Sequence, residues 1–439
     1  MIKRYRSLLT IPILLSLSSC VIEDEGAPGP TDVFVKYYGE EGIHRVSDML
    51  VNSSDDIVIF GTQQTSEADA LQTLYLLQSD SVGNQIGESV VINPGAESIL
   101  DTAVVSNAGD IHEINNGYLI VSTCFFTDGS GFGNSFIFWA QLGDDLNLLN
   151  ENSWDTISAP AVPSQNRSML ASEIIQTSDG NVIIAGGTYQ AQPNDAYASG
   201  QLQNLIVKKE MTDEAATIWR RSDGRPNHSD QLVSITELSS GELLCVGITS
   251  RQGSEGEGGT NVTFQQYNAE GLSQVDLAIR AGMTIEGSNN SNDLPNGVIT
   301  FSGGVKVVGT STLGSVKRAF VMTFQGSQLI RELIVPANPE QNITGNGITP
   351  TRQGDLLIAG TNENVQNGDV YMVRTSGTGV VRTQYEESTF GIGSGADLAK
   401  VAVTLPTGSL LIGADMDFGS GQVMIGLIKI NDRVELQRQ

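Results

Sequence analysis

Three histidines, His44, His112 and His228, stand in separate stretches of the chain, and none has a cysteine or second histidine at metal-ligand spacing. No nucleophile sits beside one of them in a local motif. Carboxylates are the abundant reactive groups: 50 Asp and Glu against 24 Lys and Arg give a net charge of −26. Two carboxylates on either side of a glycosidic bond can hydrolyse it, but that chemistry depends on separations a sequence does not state. Two short segments offer oxygen ligands. "TDGSGFGNS" contains Asp128, Ser130 and Asn134, and "DMDFGSG" contains Asp415 and Asp417. Neither has the carboxylate spacing and closing glutamate of a calcium loop, so both read first as turns, and no cofactor is expected.

The excess of acid bears on partners. Such a surface repels phosphate backbones, which excludes nucleic acid as a ligand class. Cys124 and Cys245 each lie in an apolar run of a different repeat, which argues for two buried thiols rather than a disulfide framework.

The elements that would position any site come from repetition. "TSDGNVIIAGGT", residues 177–188, is a turn followed by an apolar strand, and its pattern recurs seven times. Copies run from Asp55 to Gly61, Asn116 to Ser122, Gly180 to Gly186, Gly241 to Gly247, Gly303 to Gly309, Gly354 to Gly360 and Gly408 to Ala414. Successive ends are 51 to 64 residues apart, the length of a four-stranded blade with loops. A strand precedes each phrase ("LVSITEL" at 232, "AKVAVTL" at 399). A third follows a variable loop ("NLIVKKEM" at 204, "NVTFQQYN" at 261), and a fourth follows a tight turn ("TIWRRS" at 217). β-branched and aromatic residues fill these strands, and Gly, Asn, Asp and Ser punctuate them. The chain is therefore expected to be all-β, a seven-bladed propeller of four-stranded antiparallel blades over residues 33–439. The glycine that closes most phrases is expected to let the chain leave the strand sharply. Val33 to Tyr38 has the layout of a fourth strand placed before the first blade. It is expected to complete the last blade and clasp the two chain ends, with "VELQ" at 434 competing for that edge.

Turn lengths separate two faces. Connections between strands one and two, and three and four, are tight. Those between strands two and three, and between blades, are long, and long loops on a rigid scaffold carry function. The candidate binding face thus holds Phe125, Phe126, Asp128, Tyr189, Tyr197, Glu255, Asp415, Asp417 and Phe418, a mixture of aromatic rings and carboxylates suited to sugars or peptides.

Two resemblances add to this reading. Lys3, Arg4 and Arg6 precede an apolar run from Leu8 to Leu17 that is about half a membrane-spanning helix. The following Leu17-Ser18-Ser19-Cys20 resembles the lipobox of bacterial lipoproteins. That resemblance implies a signal peptide over residues 1–19, cleavage before Cys20, acylation of its thiol and amine, and an outer-membrane lipoprotein held by palmitate-type chains. Residues 20–32, with Glu23-Asp24-Glu25 and "GAPGP", read as an acidic tether. The acidic cluster also resembles the surface-export signal of some Gram-negative lipoproteins, which implies cell-surface exposure. Within the propeller, "IIQTSDGNVIIAGGT" and "VSITELSSGELLCVGITS" resemble secreted bacterial propeller repeats of the "DGGYIIAG" and delta-60 type, with Trp219 and Trp154 at the fourth-strand tryptophan position. This likeness implies a fold and leaves the activity open. Asp-box repeats of sialidase type are absent, and three tryptophans cannot supply the repeated positions of quinoprotein dehydrogenases.

The expected function is a monomeric, lipid-anchored binding or scaffolding module for an envelope protein or glycan. The alternative is an extracellular polysaccharide hydrolase or lyase. Two or three carboxylates with a basic residue at the mouth of the central channel would favour the enzyme. A broad uncharged or aromatic patch over the loop face would favour the binder.

Overall fold

The computed structural model describes residues 33–65, 72–94, 103–126, 135–149, 154–157, 168–189, 202–212, 215–224, 228–250, 259–279, 291–301, 304–325, 328–335, 341–364, 368–376, 387–392, 395–431 and 434. The signal, the tether and most of "VELQ" lie outside them, as do Asp128, Tyr197 and Glu255.

Twenty-eight strands follow one another among the described residues. After β1 (Phe34–Tyr38), the first repeat supplies β2 (Ile43–Val51), β3 (Ile57–Gln64), β4 (Thr73–Ser79) and β5 (Gln85–Ile92). The second gives β6 (Ala103–Ile114), β7 (Gly117–Phe126), β8 (Ser135–Leu142) and β9 (Trp154–Ile157). The third gives β10 (Met169–Gln176), β11 (Val182–Thr188), β12 (Gln203–Lys209) and β13 (Thr217–Asp223). The fourth gives β14 (Asp230–Glu237), β15 (Leu243–Thr249), β16 (Asn261–Tyr267) and β17 (Ser273–Ile279). Next come β18 (Asn292–Phe301), β19 (Gly304–Leu313), β20 (Val316–Gln325) and β21 (Gln328–Val335). The sixth repeat gives β22 (Gly347–Pro350), β23 (Leu356–Asn362), β24 (Asp369–Thr375) and β25 (Glu387–Phe390), and the last gives β26 (Leu398–Thr404), β27 (Leu410–Gly419) and β28 (Gln422–Ile430).

Repeats two to six each form a separate four-stranded antiparallel sheet, joined in chain order. The architecture is an all-β propeller of four-stranded blades. Seven four-stranded blades were expected and five separate ones are found, because the first and last repeats share one eight-stranded sheet. One parallel pair, Ile43 with Val423, joins β2 to β28 and merges them.

Alternate residues of each phrase strand face opposite neighbours. Val58 and Phe60 of β3 pack with Ile111 and Ile120 of the second repeat, while Ile57 and Ile59 pack with Leu411 and Ile425 of the last. Each fully buried side chain of this size contributes about 1.5–3 kcal/mol, which is why the phrase is apolar on both faces.

The phrase-ending glycine has another reason than the one expected. β3 runs on to Gln64 and β11 to Thr188, past Gly61 and Gly186. The inner strand beside Gly61, Gly186, Gly247 and Gly309 bulges, with register shifts at Val46/Asp48, Ala171/Glu173, Leu232/Ser234 and Pro295/Gly297. The bulge presses a carbonyl onto the glycine. A Cβ on Gly61 would overlap Arg45 O, one on Gly186 Leu170 O, and one on Gly247 Gln231 O. Glycine is thus needed for close approach to a bulged neighbour.

β1 pairs antiparallel with β28 from Phe34–Lys429 to Tyr38–Ile425, so the amino-terminal strand takes the outer edge of the last repeat. The buried Lys429 Nζ donates to Ser81 O at 2.9 Å, and Tyr38 Oη donates to Gly83 O at 2.8 Å, fastening this edge to the first repeat.

Candidate functional site: the central channel

The inner strands β2, β6, β10, β14, β18, β22 and β26 surround a cavity of about 480 Å³ at the axis, within the usual range for a small-ligand pocket. Six of them, β6, β10, β14, β18, β22 and β26, are edges of their sheets, and β2 meets β28 only through the Ile43–Val423 pair, so outward backbone groups line the channel. The bulges turn side chains into it, and those side chains differ in kind around the ring. Asp48, Asp110 and Glu173 come from three consecutive repeats. Asn296, Asn346 and Lys400 come from the last three.

Most of these groups reach across to the next inner strand. Asp48 Oδ2 accepts the Ile111 N–H at 3.2 Å, Asp110 Oδ2 accepts the Ile174 N–H at 3.0 Å, and Glu173 Oε2 accepts the Ile235 N–H. On the other side, Asn296 Nδ2 donates to Gly345 O and Asn346 Nδ2 donates to Ala399 O, both at 2.7 Å. Asp415 Oδ1 accepts the Val46 N–H at 2.8 Å, tying the last repeat to the first. Side chains thereby satisfy backbone groups in and beside the inner strands.

Charge is unevenly held. Burial raises the Asp48 carboxyl, against the lowering effect of its hydrogen bonds to Asp110 and the backbone. Asp110 rises well above the carboxylate range through burial and then the charges of Asp48 and Glu173. Glu173 is pushed up to about 7, chiefly by burial, with its hydrogen bonds to Ser234 and Ile235 opposing. All three are half-buried in the channel wall, with protein around them. Lys400 Nζ lies 3.6 Å from Asp415 Oδ2, so the channel's cation has a carboxylate of its own.

This set of carboxylates and a lysine was the signature set for an enzyme, but its members were missed as individual residues. Their signal was present: Asp48, Glu173 and Ser234 each stand thirteen positions before a phrase-ending glycine, Gly61, Gly186 and Gly247.

The residues expected on the loop face are scattered. Phe125 is exposed at the end of β7, and Phe126 follows it, paired through its backbone with Ala103. Tyr189 is half-buried, its N–H donating to Ser168 O at 2.9 Å. Asp415 is a correction: it is 1% exposed and holds Val46 rather than facing a partner. Residues 415–422 are also no irregular loop, since β27 and β28 extend through them to a Ser420-Gly421 turn. Asp417 Oδ1 accepts the Gly419 N–H at 2.7 Å inside this hairpin, and Phe418 is exposed, edge-on to Tyr37 at 5.2 Å. Among the described residues no group of three His, Cys, Asp or Glu side chains is placed to hold a metal ion. Cys124 and Cys245 are free and buried, and burial pushes the Cys124 thiol up to about 12.

No family model matches the chain, and no curated protein matches it. Solved structures do. The chain is similar to the polysaccharide lyase Uly1, with a TM-score of 0.51 at 10% identity over 91% of this chain and 92% of that one. The likeness is one of fold. A protein of unknown function from Dyadobacter fermentans aligns with a TM-score of 0.47 at 9% identity, over 90% of this chain and 97% of that one. A Trypanosoma rangeli sialidase in complex with the inhibitor DANA gives 0.42 at 10% identity, over 90% of this chain and 56% of that one.

Proposed function

We propose that the protein is a monomeric, lipid-anchored envelope propeller that binds or scaffolds a glycan or protein partner at the bacterial outer membrane. In this reading the eight-stranded sheet is two blades merged by the Ile43–Val423 pair, so the ring counts seven. The carrying observation is the use made of the channel's ionisable groups. Asp48, Asp110 and Glu173 each accept a backbone N–H of the next inner strand, which is a structural duty. What remains for a ligand is a polar, partly open cavity walled by backbone edges, carboxyls on one side and amides on the other.

A second reading rests on Glu173. A carboxyl held near 7 beside the Asp48–Asp110 pair is poised to give and take a proton at neutral pH. That is the acid–base capacity a polysaccharide hydrolase or lyase requires, and Uly1, which shares the fold, is a polysaccharide lyase.

One experiment separates the two. Purified mature protein is offered to an array of neutral and acidic polysaccharides, with binding, new reducing ends and unsaturated products measured together. Saturable binding without product supports the binding module. Turnover that disappears in Glu173→Gln overturns it in favour of the enzyme.

A further inference from the structure

Exposed apolar side chains concentrate at one end of the strands. Ile86, Leu149, Ile218 and Leu272 occur one per repeat on four successive repeats, and the fifth carries Phe301 and Ile330. All six lie at the tight-turn end. Ile86 pairs with Gln78 beside the Asp80–Asn84 turn, and Leu149 donates its N–H to Gln141 O at 3.2 Å near the end of β8. Leu272 O accepts the Asn268 N–H at 3.0 Å, and Phe301 pairs with Gly304 across its turn. Ile218 and Ile330 occupy bulges in the outer strands β13 and β21, where the register shifts and neither has an opposite residue. A bulge re-aims its extra side chain, and Ile330 is 55% exposed. Val91, Phe125, Leu294 and Phe418 lie toward the other end of their strands.

The chain also enters the propeller at the tight-turn end. Phe34 pairs with Lys429, next to the last residue of β28, and Ile430 pairs with Leu410 just beyond the turn at 405–409. Fourteen residue steps separate Cys20 from Phe34, a reach of at most about 50 Å.

We infer that the tight-turn face rests on a lipid surface with zwitterionic headgroups, leaving the loop face turned away from the membrane. The inference rests on the lipid-anchor reading of Cys20. Side chains spread over five successive repeats meet a flat surface together, whereas a compact protein partner would need one contiguous patch. Asp55, Asp144, Asp145 and Glu270 are exposed in turns on this face, so anionic headgroups would repel it. Shallow contact of this kind is weak alone and becomes effective once a lipid tether fixes the local concentration.

Hydroxyl-radical footprinting tests it without substitutions. Lipidated protein is reconstituted in phosphatidylcholine vesicles, and oxidation of individual side chains is compared with the free mature chain. Several-fold slower oxidation of Ile218, Leu272, Phe301 and Ile330, with Phe125 and Phe418 unchanged, is expected. Replacing half of the lipid with phosphatidylglycerol should reduce that protection. Protection of Phe125 and Phe418 instead, or of neither set, overturns the inference. Protection that arises only on intact envelopes also overturns it, and assigns the face to a protein partner. If Cys20 carries no acyl chain in cells, the anchor reading fails by itself. The same footprint is then read on the mature chain coupled through Cys20 to a maleimide phospholipid, since Cys124 and Cys245 are buried.

Discussion

Asp415 Oδ1 accepts the backbone N–H of Val46 at 2.8 Å across 369 residues of chain, and its other oxygen faces Arg45 at 3.4 Å and Lys400 at 3.6 Å. The two ends of the ring therefore meet at one buried carboxylate. Asp415→Ala should cost about 2–3 kcal/mol, mostly from the orphaned N–H, because Arg45 and Lys400 are exposed enough to rehydrate. Asp415→Asn keeps an acceptor oxygen and should cost about 1 kcal/mol. Urea unfolding of both variants checks the order. Equal losses would mean that charge, rather than the hydrogen bond, holds the ends.

Deleting residues 33–38 removes β1 and leaves the outer edge of β28 without a partner. It also removes the Tyr38–Gly83 hydrogen bond and the Phe34 ring over Lys429 Nζ. The melting temperature should fall by several degrees and light scattering on heating should rise, as expected of an uncovered strand edge. Unchanged stability would transfer the closing role to "VELQ".

Glu173 predicts a pH dependence with a definite sign. The folded protein keeps its proton up to about 7, while the unfolded chain releases it near the ordinary value of 4.5. Between those values the native state binds more protons, so stability falls as pH rises through the window. Asp48 and Asp110 are raised and act in the same direction. Glu173→Gln should raise stability at pH 8 by about 2 kcal/mol and change little at pH 4. Thermal melts across pH 4–8 read this directly, and a wild-type protein that gains stability with pH would contradict it.

Cys20→Ala should abolish palmitate labelling and release the protein from membranes. Persistent label in that variant would sink the lipoprotein reading. Because Cys124 and Cys245 are buried, thiol reagents should modify them only after denaturation.

The two faces should separate binding from stability. Serine at Tyr189, Tyr197 and Phe418 together should weaken glycan or partner capture and leave the melting temperature nearly unchanged. Asp179→Ala with Gly180→Ala should do the reverse. Gly180 sits at φ +82° in its turn, where alanine costs about 1 kcal/mol. Asp179 also pairs with Lys208 Nζ at 2.7 Å. A turn variant that loses its partner while the loop variant keeps it would reverse the assignment of the faces.

The repeated phrase by itself determined the strands, their order and their four-fold grouping, because a strand covered on both faces must be continuously apolar and its turns need Gly, Asn and Asp. The layout of residues 33–38 pointed to the last repeat but left "VELQ" competing for that edge, and the pairing of β1 with β28 decided it. Tertiary structure alone decided where the side chains meet. Asp48, Asp110 and Glu173 are more than sixty residues apart in sequence, and only ring closure and the inner-strand bulges bring them into one channel. Asp415 reads as a loop ligand from its neighbours Asp417 and Phe418, yet the paired extension of β27 and β28 buries it against Val46. Local pattern reports what a residue is flanked by; burial and partner depend on which distant strand the fold sets beside it.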